Sequence, residues 1–288
     1  MQESNYHRFP WRIFALAGLL SLAWLVLSVW GGWRADLAES NLQANLIRIT
    51  RYLQADAPDI VLLGSSISGR LLPEYFNFKG REVLNLGLDG SGPLFALEIL
   101  SQQARRPNLV LLEVDSLFRP LSGNDSILRE AMGSTTAKLS EHLALFRPEV
   151  RPFTVAYARL KSWRDGLAQG RQRPPHHAAG PVEGLPSNYD SVKNKVAALK
   201  AQGSRIFLVN MPDGEGWAMP LAGPAKLLAE ELQLEVLEPG VEIYQMEGDV
   251  LRFTDGLHLD GPSAAKVSRI LASRLDAPRE LPKEPDWQ

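Results

Sequence analysis

The segment 58-PDIVLLGSS-66 decides the fold. Four apolar residues, Ile60 to Leu63, run without interruption between Pro58 and Gly64. The run is too short for an ordinary helix and lacks the alternation of a strand with one wet face. Bounded by turn residues, it predicts a strand buried on both faces, as in a parallel sheet. The unit recurs further along the chain at 82-EVLNLG-87, 108-NLVLLE-113, 204-SRIFLVN-210 and 234-LEVL-237. Between these lie amphipathic stretches, Leu94 to Gln103, Tyr189 to Gln202 and Ala222 to Leu232, and Gly261 to Leu275 closes the series. Upstream, Asp36 to Gln54 has helical spacing, with Leu42, Leu46, Ile49 and Leu53 on one stripe. Strands alternating with helices predict βαβ units with right-handed crossovers, hence an α/β fold with a mostly parallel sheet covered on both faces. No internal repeat is present.

The chain has 288 residues, 45% hydrophobic and 22% charged, with a formal net charge of -2. Acids and bases are interspersed. No basic stripe marks a nucleic-acid footprint, so nucleic acid is not an expected partner. There are no cysteines, which excludes a thiol nucleophile, a disulfide framework and thiolate metal sites.

Residues 13–30, IFALAGLLSLAWLVLSVW, carry no charge. As a helix they span about 27 Å, near the lower limit for crossing a bilayer. Trp11 at one end and Trp30 and Trp33 at the other match interfacial aromatics, and Arg8 and Arg12 favour a cytoplasmic N-terminus, although Arg34 follows. A cleaved signal peptide and a buried core helix are the alternatives. The run exceeds a signal h-region, and bulky Trp30 stands between the small residues of the candidate cleavage site. The expected organisation is a cytoplasmic segment 1–12, an anchor over 13–31 and a juxtamembrane helix within 32–57. An α/β domain then covers 58–275, and a Pro-rich, charged, disordered tail covers 276–288. Placed this way, the domain faces the periplasm from a bacterial inner membrane.

Residues 120–187 interrupt the βα rhythm. Two helices are expected there, around Ser126 to Phe146 and Pro148 to Gln169, followed by a Pro/Gly/His-rich loop. An insertion of this kind lies most simply over the carboxyl ends of the strands, where active-site lids lie.

Sites in open parallel sheets form at those carboxyl ends. The residues there are Gly64-Ser65-Ser66, then Asn85 to Gly92, then Glu113-Val114-Asp115-Ser116. Asp255-Gly256-Leu257-His258 stands just before the last helix. A serine after the first strand, a glycine after the second and Asp-x-x-His before the C-terminal helix resemble the SGNH/GDSL hydrolases in order and placement. The resemblance implies a three-layer flavodoxin-like fold with Ser66 as nucleophile, His258 as base and Asp255 as its orienter. The Ser66 and Gly87 N–H groups would line the oxyanion hole. It implies no cofactor and no metal.

The pattern departs from the family in two places. Its GDS is GSS here, and its Gly-x-Asn-Asp after the third strand is Glu113-Val114-Asp115-Ser116, without the side-chain amide that completes the oxyanion hole. A GSS form behind an N-terminal anchor resembles the exported branch that includes alginate and cellulose acetylation proteins and the teichoic acid D-alanylation protein. For this chain the likeness implies a serine acyltransferase or esterase acting on a carbohydrate polymer, with a membrane-bound partner supplying the acyl group. A non-catalytic polymer-binding or scaffold subunit is the alternative.

Plainer readings stand beside each motif. Gly64-Ser65-Ser66 also fits a helix N-cap, and the Asp255–His258 segment fits a capped turn with Asp260 or Ser263 as N-cap. Ser65 is the rival nucleophile. Glu113 and Asp115 are either an acid/base carboxylate pair or structural, with Asp115 bonding the loop below the site. His176 and His177 are a metal pair only with a third ligand, and otherwise a solvated loop. Trp163, Trp217, Phe118 and Phe253 either stack on sugar rings or pack. Asn85 and Trp217 are the candidate substrate contacts.

Overall fold

The structure is a computed structural model that describes residues 11–30, 40–142 except 57 and 79, 147–148, 160, 184–214, and 221–276 except 222 and 249. The expected helix at 148–169, the loop with His176 and His177, Trp163, Trp217 and the tail after 276 lie outside these residues, apart from 148, 160 and the end of that loop.

Five strands form one parallel sheet: β1 Ile60–Ser65, β2 Val83–Leu88, β3 Leu109–Glu113, β4 Arg205–Val209 and β5 Glu235–Leu237. Their order is β2-β1-β3-β4-β5, the doubly wound order of flavodoxin-like folds. Ile60 pairs with Val83 on one side and with Leu109 on the other, so β1 is central. Alternate side chains of each strand enter opposite cores. Val61, Leu63, Val110, Leu112 and Leu208 go to one, and Ile60, Leu62, Leu109, Leu111 and Phe207 to the other. The uninterrupted apolar runs are therefore strands with two buried faces, as the sequence predicts.

The first face is covered by α2 Asn41–Gln54, α3 Pro93–Gln102, α6 Tyr189–Ala201 and α7 Gly223–Leu232. The second is covered by α8 Pro239–Glu247 and α9 Gly261–Asp276, with Leu71 and Phe76 from two short 3₁₀ turns. Capping fixes several of these helices. Ser40 Oγ accepts the Gln43 N–H at 3.2 Å, and Asp260 Oδ1 accepts the Ser263 N–H at 2.9 Å, so Asp260 is the cap of α9.

Three elements differ from the reading of the sequence. α2 packs on the sheet and buries Asn45, Leu46, Arg48, Ile49 and Tyr52, whereas Leu42 of the expected stripe is 38% exposed. The helix expected at 126–146 is two, α4 Gly123–Gly133 and α5 Thr135–His142. Gly133 ends the first, and Ser134 Oγ accepts the Ala137 N–H at 3.2 Å to start the second. α8 adds a helix to which no stretch of the sequence was assigned, starting at Pro239 in the first helical position, where a missing N–H does no harm.

At the N-terminus, α1 Trp11–Trp30 stands apart from the sheet, with Ile13 62% and Leu19 68% exposed. Among the described residues no helix is long and apolar enough to cross a membrane. The side chains of Leu25 and of residues 27–30 lie outside the described residues, so the span expected over 13–31 reaches beyond them.

Candidate active site

Ser66 follows the last residue of β1, at the carboxyl edge beside the β1/β3 boundary where the winding of the sheet reverses. His258 and Asp255 arrive on the loop before α9. That loop is closed by the Phe253–Leu259 bridge, by Thr254 N–H to the His258 carbonyl at 2.8 Å, and by Asp260 N–H to the Arg252 carbonyl at 3.0 Å. Within it, Asp255 Oδ1 accepts the N–H groups of Leu257 at 3.2 Å and His258 at 2.8 Å. Its other oxygen lies 2.7 Å from His258 Nδ1. His258 Nε2 lies 2.8 Å from Ser66 Oγ. With a proton on Nδ1 held by the carboxylate, Nε2 is left to accept from the Ser66 hydroxyl, the arrangement that activates a serine. Burial pushes the Asp255 carboxyl up, but the His258 N–H, its ring and the Leu257 N–H together hold it down at about 2. It is therefore ionised at neutral pH.

The two serines separate cleanly. Ser65 is 6% exposed, and its hydroxyl accepts the Ile67 N–H at 3.2 Å. Ser66 is half-buried and faces the imidazole. The turn is organised by Glu113, the last residue of β3, which is 1% exposed. Glu113 Oε2 accepts the Ser65 N–H at 2.9 Å, the Ser68 N–H at 3.2 Å and the Ser68 hydroxyl, while Oε1 accepts Ser116 Oγ–H at 3.2 Å. Gly64 is required here: a Cβ on it would fall 2.5 Å from Glu113 Oε2. With the N–H groups of residues 65, 67 and 68 engaged, the Ser66 N–H is left without a partner among the described residues.

Gly87 departs from its expected role. Its N–H donates to Asn85 Oδ1 at 2.6 Å and is occupied, while its carbonyl accepts from Arg48 Nη1 at 2.5 Å. What needs a glycine at 87 is the neighbouring turn, because a Cβ there would lie 2.7 Å from Gly69 Cα and 2.8 Å from the Ser65 carbonyl oxygen. Asn85 is also turned inward. It is 9% exposed, and its amide donates to the carbonyls of Ser68 at 2.8 Å and Leu71 at 2.7 Å. The Asn85 amide and the Gly87 N–H are thus both engaged within the protein. No family model and no curated protein matches this chain.

The Arg48 and Asn45 pair of α2, and a glycine after β4, escaped the reading of the sequence. Arg48 of α2, 9% exposed, donates to the Gly87 carbonyl and, at 3.3 Å, to the Gly69 carbonyl, and pairs with Asp89 at 3.3 Å. Asn45, one turn earlier, brackets the Asp89 backbone, donating to its carbonyl at 2.9 Å and accepting its N–H at 2.7 Å. The signal was a basic residue between Ile47 and Ile49, inside the apolar side of a helix. The glycine is Gly214. A Cβ on it would overlap the Gly256 carbonyl oxygen, so the loop after β4 buttresses the Asp255–His258 loop.

Other candidates fall to packing or to charge. Phe118 stacks on Tyr189 at 5.6 Å, and Phe253 packs against the second core. Asp115 Oδ2 accepts the Met211 N–H at 3.0 Å, the loop-bonding role expected of it. Desolvation, then the Glu113 and Asp213 carboxylates, raise its carboxyl well above the usual range, although open solvent on one side screens part of that effect. Burial and then Glu113 push Asp213 up to about 6. Among the described residues no group of acids and histidines is arranged to hold a metal.

Proposed function

We propose that this protein is a serine esterase or O-acyltransferase of the SGNH type, held at a membrane by α1 and acting on a cell-envelope or secreted polysaccharide. The observation that carries the reading is the continuous set Ser66 Oγ, His258 Nε2 and Asp255 at hydrogen-bond distances, at the carboxyl end of a central strand. Ser66 Oγ attacks an acyl carbonyl as its proton passes to His258 Nε2, and the Ser66 N–H bonds the developing oxyanion. Collapse breaks the acyl–oxygen bond of the donor, whose leaving oxygen takes the proton from His258. The acyl-serine is then attacked by a sugar hydroxyl or by water, with His258 taking and returning the second proton. Whether the outcome is transfer or hydrolysis depends on which acceptor reaches the ester.

The exported, membrane-tethered part of the reading is supported by α1, most of whose described side chains are apolar and exposed. A helix of that kind belongs in lipid or against a hydrophobic partner. A membrane-bound acyl-donor protein fits that placement, with the α/β domain in the periplasm. The alternative, a polymer-binding scaffold subunit, draws support from Asp115, two residues beyond β3, an acceptor at the position where a donor amide would complete the oxyanion hole.

The test is incubation of the full chain in detergent with p-nitrophenyl acetate, followed by mass mapping. Acetyl mass on Ser66, absent in Ser66→Ala, is the expected result. A wild type that neither turns over nor gains acetyl mass would hand the lead to the scaffold reading, and turnover that survives Ser66→Ala would show that Ser66 is not the nucleophile.

A further inference from the structure

We propose that Glu113 is a positioning residue for the nucleophile, its buried carboxylate fixing the Ser65–Ser68 turn so that Ser66 meets His258 while the Ser66 N–H stays open. The inference rests on the acyl-serine reading and names a residue that reading does not require. Three donors, from residues 65 and 68, converge on one oxygen of Glu113, and Ser116 holds the other. Ser66 sits between the two anchored residues, so its backbone is pinned on both sides by a group from a different strand.

The charge state explains why this position is an acid. Among the described residues Glu113 forms no ion pair, so the turn's own N–H and O–H groups must compensate a carboxylate that is 1% exposed. A buried anion without such donors is strongly disfavoured. Opening the turn would remove those donors, and the carboxylate therefore holds it shut. Gly64 makes the approach possible by leaving no Cβ in the way. The closed turn uses the N–H groups of residues 65, 67 and 68 and leaves only that of Ser66, so the same contact that places the hydroxyl also selects the free donor. Arg48 acts from the opposite side on the carbonyls of Gly69 and Gly87, and an anion and a cation together clamp the segment.

The experiment measures the rate at which a fluorophosphonate probe labels Ser66 in the detergent-solubilised full chain, alongside thermal unfolding and p-nitrophenyl acetate kinetics. Glu113→Gln keeps the shape and one acceptor oxygen but removes the negative charge on which the three donors converge. It should slow labelling of the folded protein at least tenfold and lower kcat with KM changed less than threefold. Ser68→Ala removes one of the three donors and should slow labelling by about threefold. A merely structural Glu113 would lower the unfolding midpoint and leave the labelling rate of the folded fraction unchanged, and that result overturns the proposal. If Glu113→Gln does not fold, Ser68→Ala decides: slowed labelling supports the proposal and wild-type labelling overturns it. Failure of the wild type itself to label at Ser66 would remove the acyl-serine reading and the role of Glu113 with it. The two failures are distinct, because only in the first does the wild type react.

Discussion

Adjacent residues with the same side chain acquire different work because the end of β1 turns one inward and the other outward. Ser65 is buried and bonds the Ile67 N–H, so Ser65→Ala should cost about 1 kcal/mol of stability and retain most esterase activity. Ser66→Ala and His258→Ala should each abolish acyl-enzyme formation, and the double variant should be no worse than either, as mass mapping would show. Asp255 adds a pH signature. Its folded carboxyl lies at about 2, below the 3.8 of an unperturbed Asp, so its contribution is present above about pH 4 and is lost as pH falls towards 2. Urea unfolding of wild type and Asp255→Asn should therefore differ at pH 6 and converge near pH 2. Asp213 has the opposite sign. Raised to about 6, it weakens the fold increasingly as pH rises from 4 to 6, and fully above that. Asp213→Asn should raise the melting temperature at pH 7.5 and leave it unchanged at pH 4. That Ser66, His258 and Asp255 come together was legible in the sequence because two of them share one short loop and the third follows a strand. Glu113 was visible only as an acid with two possible uses, and Arg48 not at all, since each acts through burial and backbone contacts that no local pattern encodes.

The secondary elements were legible where periodicity was strong. All five strands fell within a residue or two of their predicted places, because continuous apolar runs bounded by turns have few other solutions. Helix boundaries were legible only where capping chemistry could be weighed, and the break at Gly133-Ser134 and the start at Pro239 were missed although both follow known capping preferences. Contacts between elements were not legible. α2 carries ordinary amphipathic spacing, yet the structure seats Arg48 against the carbonyls of two other elements. Arg48→Met should lower stability by about 3 kcal/mol, since it leaves Asp89 and two buried carbonyls unpaired. Gly87→Ala forces Gly69 away from β2 and should destabilise by about 1 to 3 kcal/mol. Denaturant titration of both variants measures these losses, and a silent Gly87→Ala would contradict the close packing of the two glycine backbones.

At the scale of the whole molecule, strand order brings residues from the beginning and end of the α/β domain to one edge. The hydroxyl of Ser66 and the imidazole of His258 are separated by 192 positions in the sequence. Closing so long a loop is slow compared with forming local helices. The N-terminal strands can pair while the last helix is still unplaced, and until α9 docks there is no base beside the serine. On the proposed reading, Ser66 becomes nucleophilic only once the loop before α9 has docked. The same property turns Ser66 labelling into a clock: during refolding it should lag behind helix content measured by circular dichroism, and labelling in step with the first helical signal would show that the C-terminal loop docks early.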